Sequence, residues 1–259
     1  MHAQSWILLR GLSREAGHWG AFLPALADAM PDSAVLPLDL PGAGARLGDR
    51  WPLTIRAAME MVRREALART KPGAPVALMG VSLGGMVVME WAARYPAEVA
   101  GVVVGASSAA DVSPLWKRMR PRGMTMVAAS ALERDLGRRE AGIVRTVSNR
   151  RDLWQETIRS WTRIQQERPM SLATVGGQVF AASRWRAPSR LDVPALFLVG
   201  KRDRLVHPDC TRQLARRYRA EIVEHPDAGH DLTTDASEWV VEQMLRFRRR
   251  NMPPRAPSR

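Results

Sequence analysis

Cysteine is almost absent from this 259-residue chain, in which Cys210 is the only one. A single cysteine excludes an intrachain disulfide and a cysteine metal cluster, and it fits a reducing compartment. No apolar run approaches the roughly 18 residues that cross a membrane, and the opening MHAQSWILLR lacks the basic start and long apolar centre of a signal peptide. We therefore expect a soluble, cytoplasmic protein, and no pattern in the sequence predicts a metal or another cofactor.

Lysine is also scarce: it occurs only at positions 71, 117 and 201, and arginine supplies most of the positive charge behind the formal net charge of +13. Residues 112–190 hold 16 Lys or Arg and 6 Asp or Glu, residues 246–259 hold six Arg and no acidic residue, and the rest of the chain has a net charge of −3. The basic segments lack a recognition motif and interleaved aromatic residues, so we do not expect nucleic-acid binding. Two interpretations remain: an arginine-rich coding bias, or a surface that attracts an anionic partner.

Six short apolar runs alternate with helical patterns along most of the chain. Runs that scarcely alternate between apolar and polar residues suit strands buried on both faces. Their alternation with helical segments predicts a mostly parallel sheet of about six strands in an α/β domain. The runs occupy residues 6–10, 34–39, 76–80, 99–106, 194–200 and 220–225.

One long interval, from about residue 111 to residue 190, has helical patterns rich in Trp, Met and Arg and no convincing strand. An insertion between two successive strands, where the chain leaves the sheet, would cover the carboxyl edge of that sheet. We therefore predict a core formed by residues 1–111 and 191–249 and a helical cap, residues 112–190, inserted before the penultimate strand. The Pro- and Arg-rich tail, residues 250–259, is predicted to be disordered.

Three glycines surround one serine in the segment VALMGVSLGGMVV, residues 76–88. Gly80, Ser82 and Gly84 match the G-x-S-x-G nucleophile elbow, a tight strand-to-helix turn that presents the serine hydroxyl at the carboxyl edge of a parallel sheet. The pattern alone also fits a glycine-rich turn with an incidental serine. The choice between these interpretations depends on whether the chain supplies partners for Ser82.

A serine hydroxyl is a weak nucleophile at neutral pH, so it needs a base and a group that orients the base. In this architecture the acid follows a late strand and the histidine follows the last one. Asp203 follows the run that ends at Gly200, and His230 lies in a glycine-preceded loop after the final run. His225 is the main competitor as base, and Asp111 is the alternative acid.

The tetrahedral intermediate also needs two backbone N–H donors, one after the nucleophile and one in the loop after the first strand. Leu83 takes the first position. Leu12, directly after Gly11, takes the second.

The motifs together resemble an α/β-hydrolase with a helical cap, similar to the carboxylesterase group that includes the pimeloyl-[acyl-carrier protein] methyl ester esterases. The resemblance spans residues 6–249 and rests on RGLSREAGHW, LDLPGAGAR, GVSLGG, GKRDRLV and DAGHDL. It implies Ser82 as nucleophile, Asp203 as acid and His230 as base. It also implies Leu12 and Leu83 as the oxyanion donors.

Two features depart from the family pattern. Relatives usually have His-Gly at the start of the oxyanion loop, where this chain has Arg10-Gly11. The family also usually has one or two antiparallel strands before the run WILLR, and too few residues precede it here to supply them. We therefore expect a sheet shortened to about six strands.

The resemblance implies that epoxide hydrolases and dehalogenases have aspartate where this chain has Ser82. Serine at this position therefore favours ester chemistry. We predict a serine carboxylesterase that hydrolyses short or medium acyl esters through an acyl-enzyme. The first alternative is an esterase or thioesterase for acyl groups on an acidic acyl carrier protein, which the basic cap would attract. The second is a non-catalytic binding protein of the same fold.

Large apolar side chains of the cap are candidates to receive the acyl chain, although packing of cap against core would also explain them. The candidates, with one from the first helical region, are Trp19, Trp116, Met119, Met124, Met126, Trp154 and Trp161.

Overall fold

Six parallel strands form one sheet, in the order β2-β1-β3-β4-β5-β6, within residues 4–252, which are the part of the chain that the computed structural model describes. This architecture confirms the predicted fold class. The strands are β1 (Gln4–Leu9), β2 (Ser33–Leu38), β3 (Val76–Val81), β4 (Val99–Gly105), β5 (Ala195–Gly200) and β6 (Glu221–His225).

Helices cover both faces of this sheet and its carboxyl edge. Those of the described residues before β5 are α1 (Phe22–Ala29), α2 (Ile55–Arg69), α3 (Leu83–Arg94), α4 (Leu115–Arg118), α5 (Pro121–Leu132), α6 (Leu136–Val147), α7 (Trp154–Glu167) and α8 (Leu172–Arg184). After β5 come α9 (Pro208–Tyr218), α10 (Leu232–Asp235) and α11 (Ser237–Asn251).

Strand β1 illustrates why the apolar runs scarcely alternate. Successive side chains of a strand point to opposite faces of the sheet. Trp6 and Leu8 pack with α1 and α11 on one face, whereas Ile7 and Leu9 pack with α2 and α3 on the other. Both faces are covered, so every position of the strand centre is apolar.

The long interval between β4 and β5 contains α4 to α8 and no strand. We call these five helices the cap. They have an apolar cluster of their own, centred on Val144, Trp161 and Ile164. The cap is fastened to the core by buried polar contacts, including Arg14 Nη1 to Glu140 Oε2 at 2.7 Å and Ser148 Oγ to Asp235 Oδ1 at 2.6 Å.

The described chain ends shortly after α11, which continues to Asn251. The remainder of the predicted disordered tail, residues 253–259, lies outside the described residues. Among residues 4–252 no helix is long and apolar enough to span a membrane.

Candidate active site

Ser82 occupies the sharp turn between β3 and α3. Its φ of 56° and ψ of −115° are unusual for a residue with a side chain, and such strain persists only where the surroundings impose it. The Ser82 N–H donates to the carbonyl of Gly105 at 2.8 Å, and Ser107 Oγ donates to the Ser82 carbonyl at 2.9 Å. Both backbone groups of Ser82 are thus tied to the end of β4 and the loop that follows.

The glycines of the motif are required by close backbone approach. A Cβ at Gly80 would collide with the carbonyl of Gly84, and a Cβ at Gly84 would collide with the carbonyl of Leu9. Helix α3 therefore begins in contact with β3 and with the end of β1. This packing turns the serine side chain outward at the carboxyl edge.

Asp203 and His230 meet at the same edge. Asp203 follows β5, His230 follows β6, and His230 Nδ1 lies 2.8 Å from Asp203 Oδ2. The other carboxylate oxygen accepts from the N–H groups of Leu205 and Val206 at 2.8 and 2.9 Å. The carboxylate is therefore held in place, and it holds the imidazole of a histidine that lines the same cavity as Ser82.

The competing residues face elsewhere. His225 Nδ1 accepts from the N–H of Ala228 at 3.0 Å, and its ring packs edge-on against Trp239. Asp111 accepts from the N–H of Ala187 at 2.8 Å and from Arg217 Nη1 at 2.6 Å. Neither side chain lines the cavity that contains Ser82.

The two candidate oxyanion donors flank Ser82. Leu83 is the first residue of α3, so its N–H has no acceptor within the helix. Leu12 lies in the loop after β1, and this loop contacts the serine, because a Cβ on Gly11 would lie 3.1 Å from Ser82 Cβ. Both leucines line the cavity.

Arg10 joins the oxyanion loop to the histidine loop. Its guanidinium forms a two-pronged ion pair with Asp231, the residue after His230, and Nη1 also donates to Thr233 Oγ1 at 3.0 Å. Arg10 and Asp231 are buried, and the guanidinium lies 4.8 Å over the ring of Trp19. Burial alone raises the pKa of Asp231, but the charge of Arg10 prevails and lowers this pKa to about 2. The position at which relatives usually have histidine thus holds a buried arginine with its own carboxylate partner.

Arg10→Met should lower the free energy of unfolding by about 3–5 kcal/mol, because it leaves the Asp231 carboxylate buried without its counter-charge. The double variant Arg10→Met/Asp231→Asn should recover part of that loss, since asparagine is neutral and can still accept from the N–H of Thr234. Urea denaturation at pH 7 measures both. Equal loss in the single and the double variant would show that the unpaired charge is not the cause.

A cavity of about 550 Å³ lies between the cap and the carboxyl edge of the sheet. Ser82 and His230 lie in its wall, with Met119, Met124 and Trp161 of the cap. Met126, which also comes from the cap, lines it too. The site residues of the core and four of the seven predicted acyl-binding residues therefore line one cavity.

Three tryptophans of the predicted acyl-binding set lie outside the cavity wall. Trp19 is buried in the core, where it packs against Phe22 and under Arg10. Trp116 is 70% exposed. Trp154 packs at the edge of the cap cluster, and its Nε1 donates to the carbonyl of Ser148 at 3.3 Å. The rotation of each helix about its axis, which residue type does not reveal, decides these positions.

The model of the Alpha/beta hydrolase family matches residues 6–243. This chain belongs to the α/β-hydrolase family. The hydrolase is 28% identical to the pimeloyl-[acyl-carrier protein] methyl ester esterase of Chromobacterium violaceum in an alignment of 219 residues that covers 82% of this chain and 83% of that protein. The predicted family resemblance is confirmed.

Solved structures of the same fold include two esterases. The esterase RhEst1 from Rhodococcus sp. ECU1013 superimposes with a TM-score of 0.73 at 19% identity, over 94% of this chain and 89% of that one. A thermophilic esterase from Thermogutta terrifontis superimposes with a TM-score of 0.71 at 19% identity, over 96% and 90%. These likenesses establish the fold.

Sequence reasoning missed one wall of this hydrolase's cavity and its charged lining. Val175 and Val179 of α8 form part of the wall, and their i, i+4 spacing is the signal that could have found them. Arg118 and Glu140 also line the cavity, and no local pattern marks them as buried. Among residues 4–252, no three His, Cys, Asp or Glu side chains are grouped as a metal site requires.

Proposed function

We propose that this hydrolase is a serine carboxylesterase that cleaves short or medium acyl esters through an acyl-enzyme. The proposal rests on the placement of Ser82, which lies on a strained elbow and lines the same cavity as His230. The Nδ1 atom of His230 is hydrogen-bonded to the Asp203 carboxylate. A strained serine and an oriented histidine in one cavity are the components that nucleophilic acyl transfer needs.

In the proposed reaction Ser82 Oγ attacks the ester carbonyl carbon while His230 Nε2 accepts the hydroxyl proton. The N–H groups of Leu12 and Leu83 stabilise the oxyanion, and Asp203 stabilises the imidazolium. His230 then returns the proton to the departing alcohol, which leaves the acyl group bound to Ser82 Oγ. A water molecule, deprotonated by His230, attacks the acyl-enzyme, and the acid is released as Ser82 regains its proton.

The apolar cavity wall supports an acyl chain as the group it receives. We expect kcat/KM for methyl and p-nitrophenyl esters to rise by up to about fourfold per methylene while each added methylene is buried, the equivalent of about 0.8 kcal/mol. The value of kcat/KM should then fall once the acyl chain extends beyond the apolar wall that receives it. Steady-state rates for a series of chain lengths measure this profile. Absence of hydrolysis across the whole series would refute the proposal.

An ester on an acyl carrier protein is the second candidate substrate. The relative in C. violaceum, by its name, acts on a pimeloyl ester attached to such a protein. The cap also supplies exposed arginines that an acidic protein would meet first. Two arginines of the cap do not belong to this exposed set: Arg118 is buried, and Arg120 donates to the carbonyl of Asp203. Its exposed members include Arg122, Arg134, Arg138, Arg159 and Arg163.

The second candidate is tested in the same assay with a carrier-linked ester and a small neutral ester of the same acyl group. Salt screens surface charge over about 8–10 Å, so kcat/KM for the carrier-linked ester alone should fall between low and about 0.5 M salt. Charge reversal in the cap should have the same selective effect, and charge reversal on the core should not. If the two esters behave alike, the cap charge is a coding bias and the plain carboxylesterase stands. The cap variant is Arg122→Glu/Arg134→Glu/Arg138→Glu, and the core control is Arg56→Glu/Arg64→Glu/Arg216→Glu.

A further inference from the structure

The cavity wall contains more positive than negative side chains. The residues that line it include four arginines and two acidic residues, which are Arg10, Arg14, Arg118, Arg139, Glu140 and Asp231. Arg10 pairs with Asp231, and Arg14 pairs with Glu140. Arg139 Nε lies 3.7 Å from the carboxylate of Glu140, and Arg139 Nη2 donates to Gln165 Oε1 at 3.3 Å. The fourth guanidinium, that of Arg118, forms no ion pair with a carboxylate of residues 4–252.

Arg118 is buried where the last residue of α4 meets the end of α8. Only 9% of the residue is exposed. Nη1 donates to the carbonyl of Ser183 at 2.9 Å, Nη2 donates to the carbonyl of Ala182 at 2.5 Å, and Nε has no acceptor. Burial lowers the pKa of the guanidinium, but arginine remains charged in proteins near neutral pH.

The helix end compensates only part of this charge. The carbonyls at a helix C-terminus represent about half an elementary negative charge. A guanidinium has five N–H donors in a planar fork that matches a carboxylate, and two of its nitrogens are used here. A buried charge without a full counter-charge is costly unless the site is completed by an anion.

We propose that Arg118 binds a carboxylate of the substrate at the far end of the acyl chain. The preferred substrates are then half-esters of aliphatic dicarboxylic acids: the ester end reaches Ser82 and the chain follows the apolar wall that includes Val175 and Val179. The free carboxylate then completes the site at Arg118. This assignment rests on the proposed function and specifies its substrate class.

The decisive comparison uses monomethyl esters of dicarboxylic acids, from succinate to suberate, and neutral methyl esters of equal chain length. The wild-type protein should prefer the half-ester by at least about tenfold in kcat/KM at its best length, as expected for a charge-assisted hydrogen bond. Arg118→Gln should reduce that preference at least about tenfold, mainly through KM. Arg122→Gln removes an exposed arginine of the same segment and should retain the wild-type preference.

A wild-type preference absent at every length, or unchanged in Arg118→Gln, overturns the assignment. A matched ester with its carboxylate on the alcohol, the hexanoate ester of glycolate, tests the orientation: preference for this compound over the half-esters also overturns it. Hydrolysis of neutral esters without any preference refutes only this inference, whereas failure to hydrolyse any ester refutes the proposed function.

Competitive inhibition gives a second measurement that does not depend on folding of the glutamine variant. Adipate should inhibit hydrolysis of a neutral p-nitrophenyl ester by the wild-type protein at least about tenfold more strongly than hexanol does. Arg118→Lys keeps a positive charge but loses the planar fork, so adipate should inhibit it less strongly than the wild type. Equal inhibition by adipate and hexanol would contradict a carboxylate site.

Discussion

Ser82→Ala should lower kcat for ester hydrolysis by roughly 10⁴-fold or more while the fold survives. Nucleophile and base act as a unit, so removal of the hydroxyl leaves only binding and the oxyanion donors to assist a direct attack by water. The Ser82 side chain is not used to cap α3, and its backbone contacts to Gly105 and Ser107 do not involve the hydroxyl that is removed. Thermal unfolding should therefore stay close to that of the wild type.

Ser108→Ala is the matched control, because Ser108 is a buried serine that lines the same cavity. This control should retain activity within about threefold of the wild type. Steady-state kinetics with one p-nitrophenyl ester compare all three proteins. If purified Ser82→Ala kept more than a tenth of the wild-type rate, the nucleophile would have to be another group.

His230→Ala should also lower kcat by about 10³-fold or more, whereas His225→Ala should remain within a few-fold of the wild type. His230 is the histidine that bonds to Asp203 and shares a cavity with Ser82. The ring of His225 instead accepts from the N–H groups of Asp227 and Ala228 and stabilises the turn after β6. Its removal should cost about 1 kcal/mol of stability rather than the reaction.

Purified His→Ala variants, compared at equal concentration with the same ester, decide this assignment. Urea denaturation of both separates a loss of folded protein from a loss of chemistry. An active His230→Ala variant with an inactive His225→Ala variant would reverse the assignment of the base.

Order along the chain made much of the candidate site predictable. In a parallel sheet the carboxyl ends of all strands lie at one edge, so loops after different strands meet there. The strand runs that end near Val81, Gly200 and His225 therefore indicated where Ser82, Asp203 and His230 should meet. The glycines and Ser82 lie within one short segment of the chain, so the elbow motif could also be recognised from the sequence.

Long-range packing decided the rest. Arg10 and Asp231 are 221 positions apart, and nothing in either local segment indicates that they form a buried pair. Arg118 lies in a segment as basic as that of Arg122, yet the first is buried against the end of α8 and the second is exposed. Charge counts along the chain cannot separate these cases.

The six-stranded parallel sheet could be predicted from the sequence, because buried apolar runs and their alternation with helices are local properties of the chain. The loops that meet at the carboxyl edge could be predicted as well, since they follow from the order of the strands along the chain. The sequence did not reveal that Met119, Met124 and Trp161 line the cavity whereas Trp19, Trp116 and Trp154 do not. A large apolar side chain fits a core, a cap interface or a cavity wall, so its position depends on how its helix docks in the folded protein.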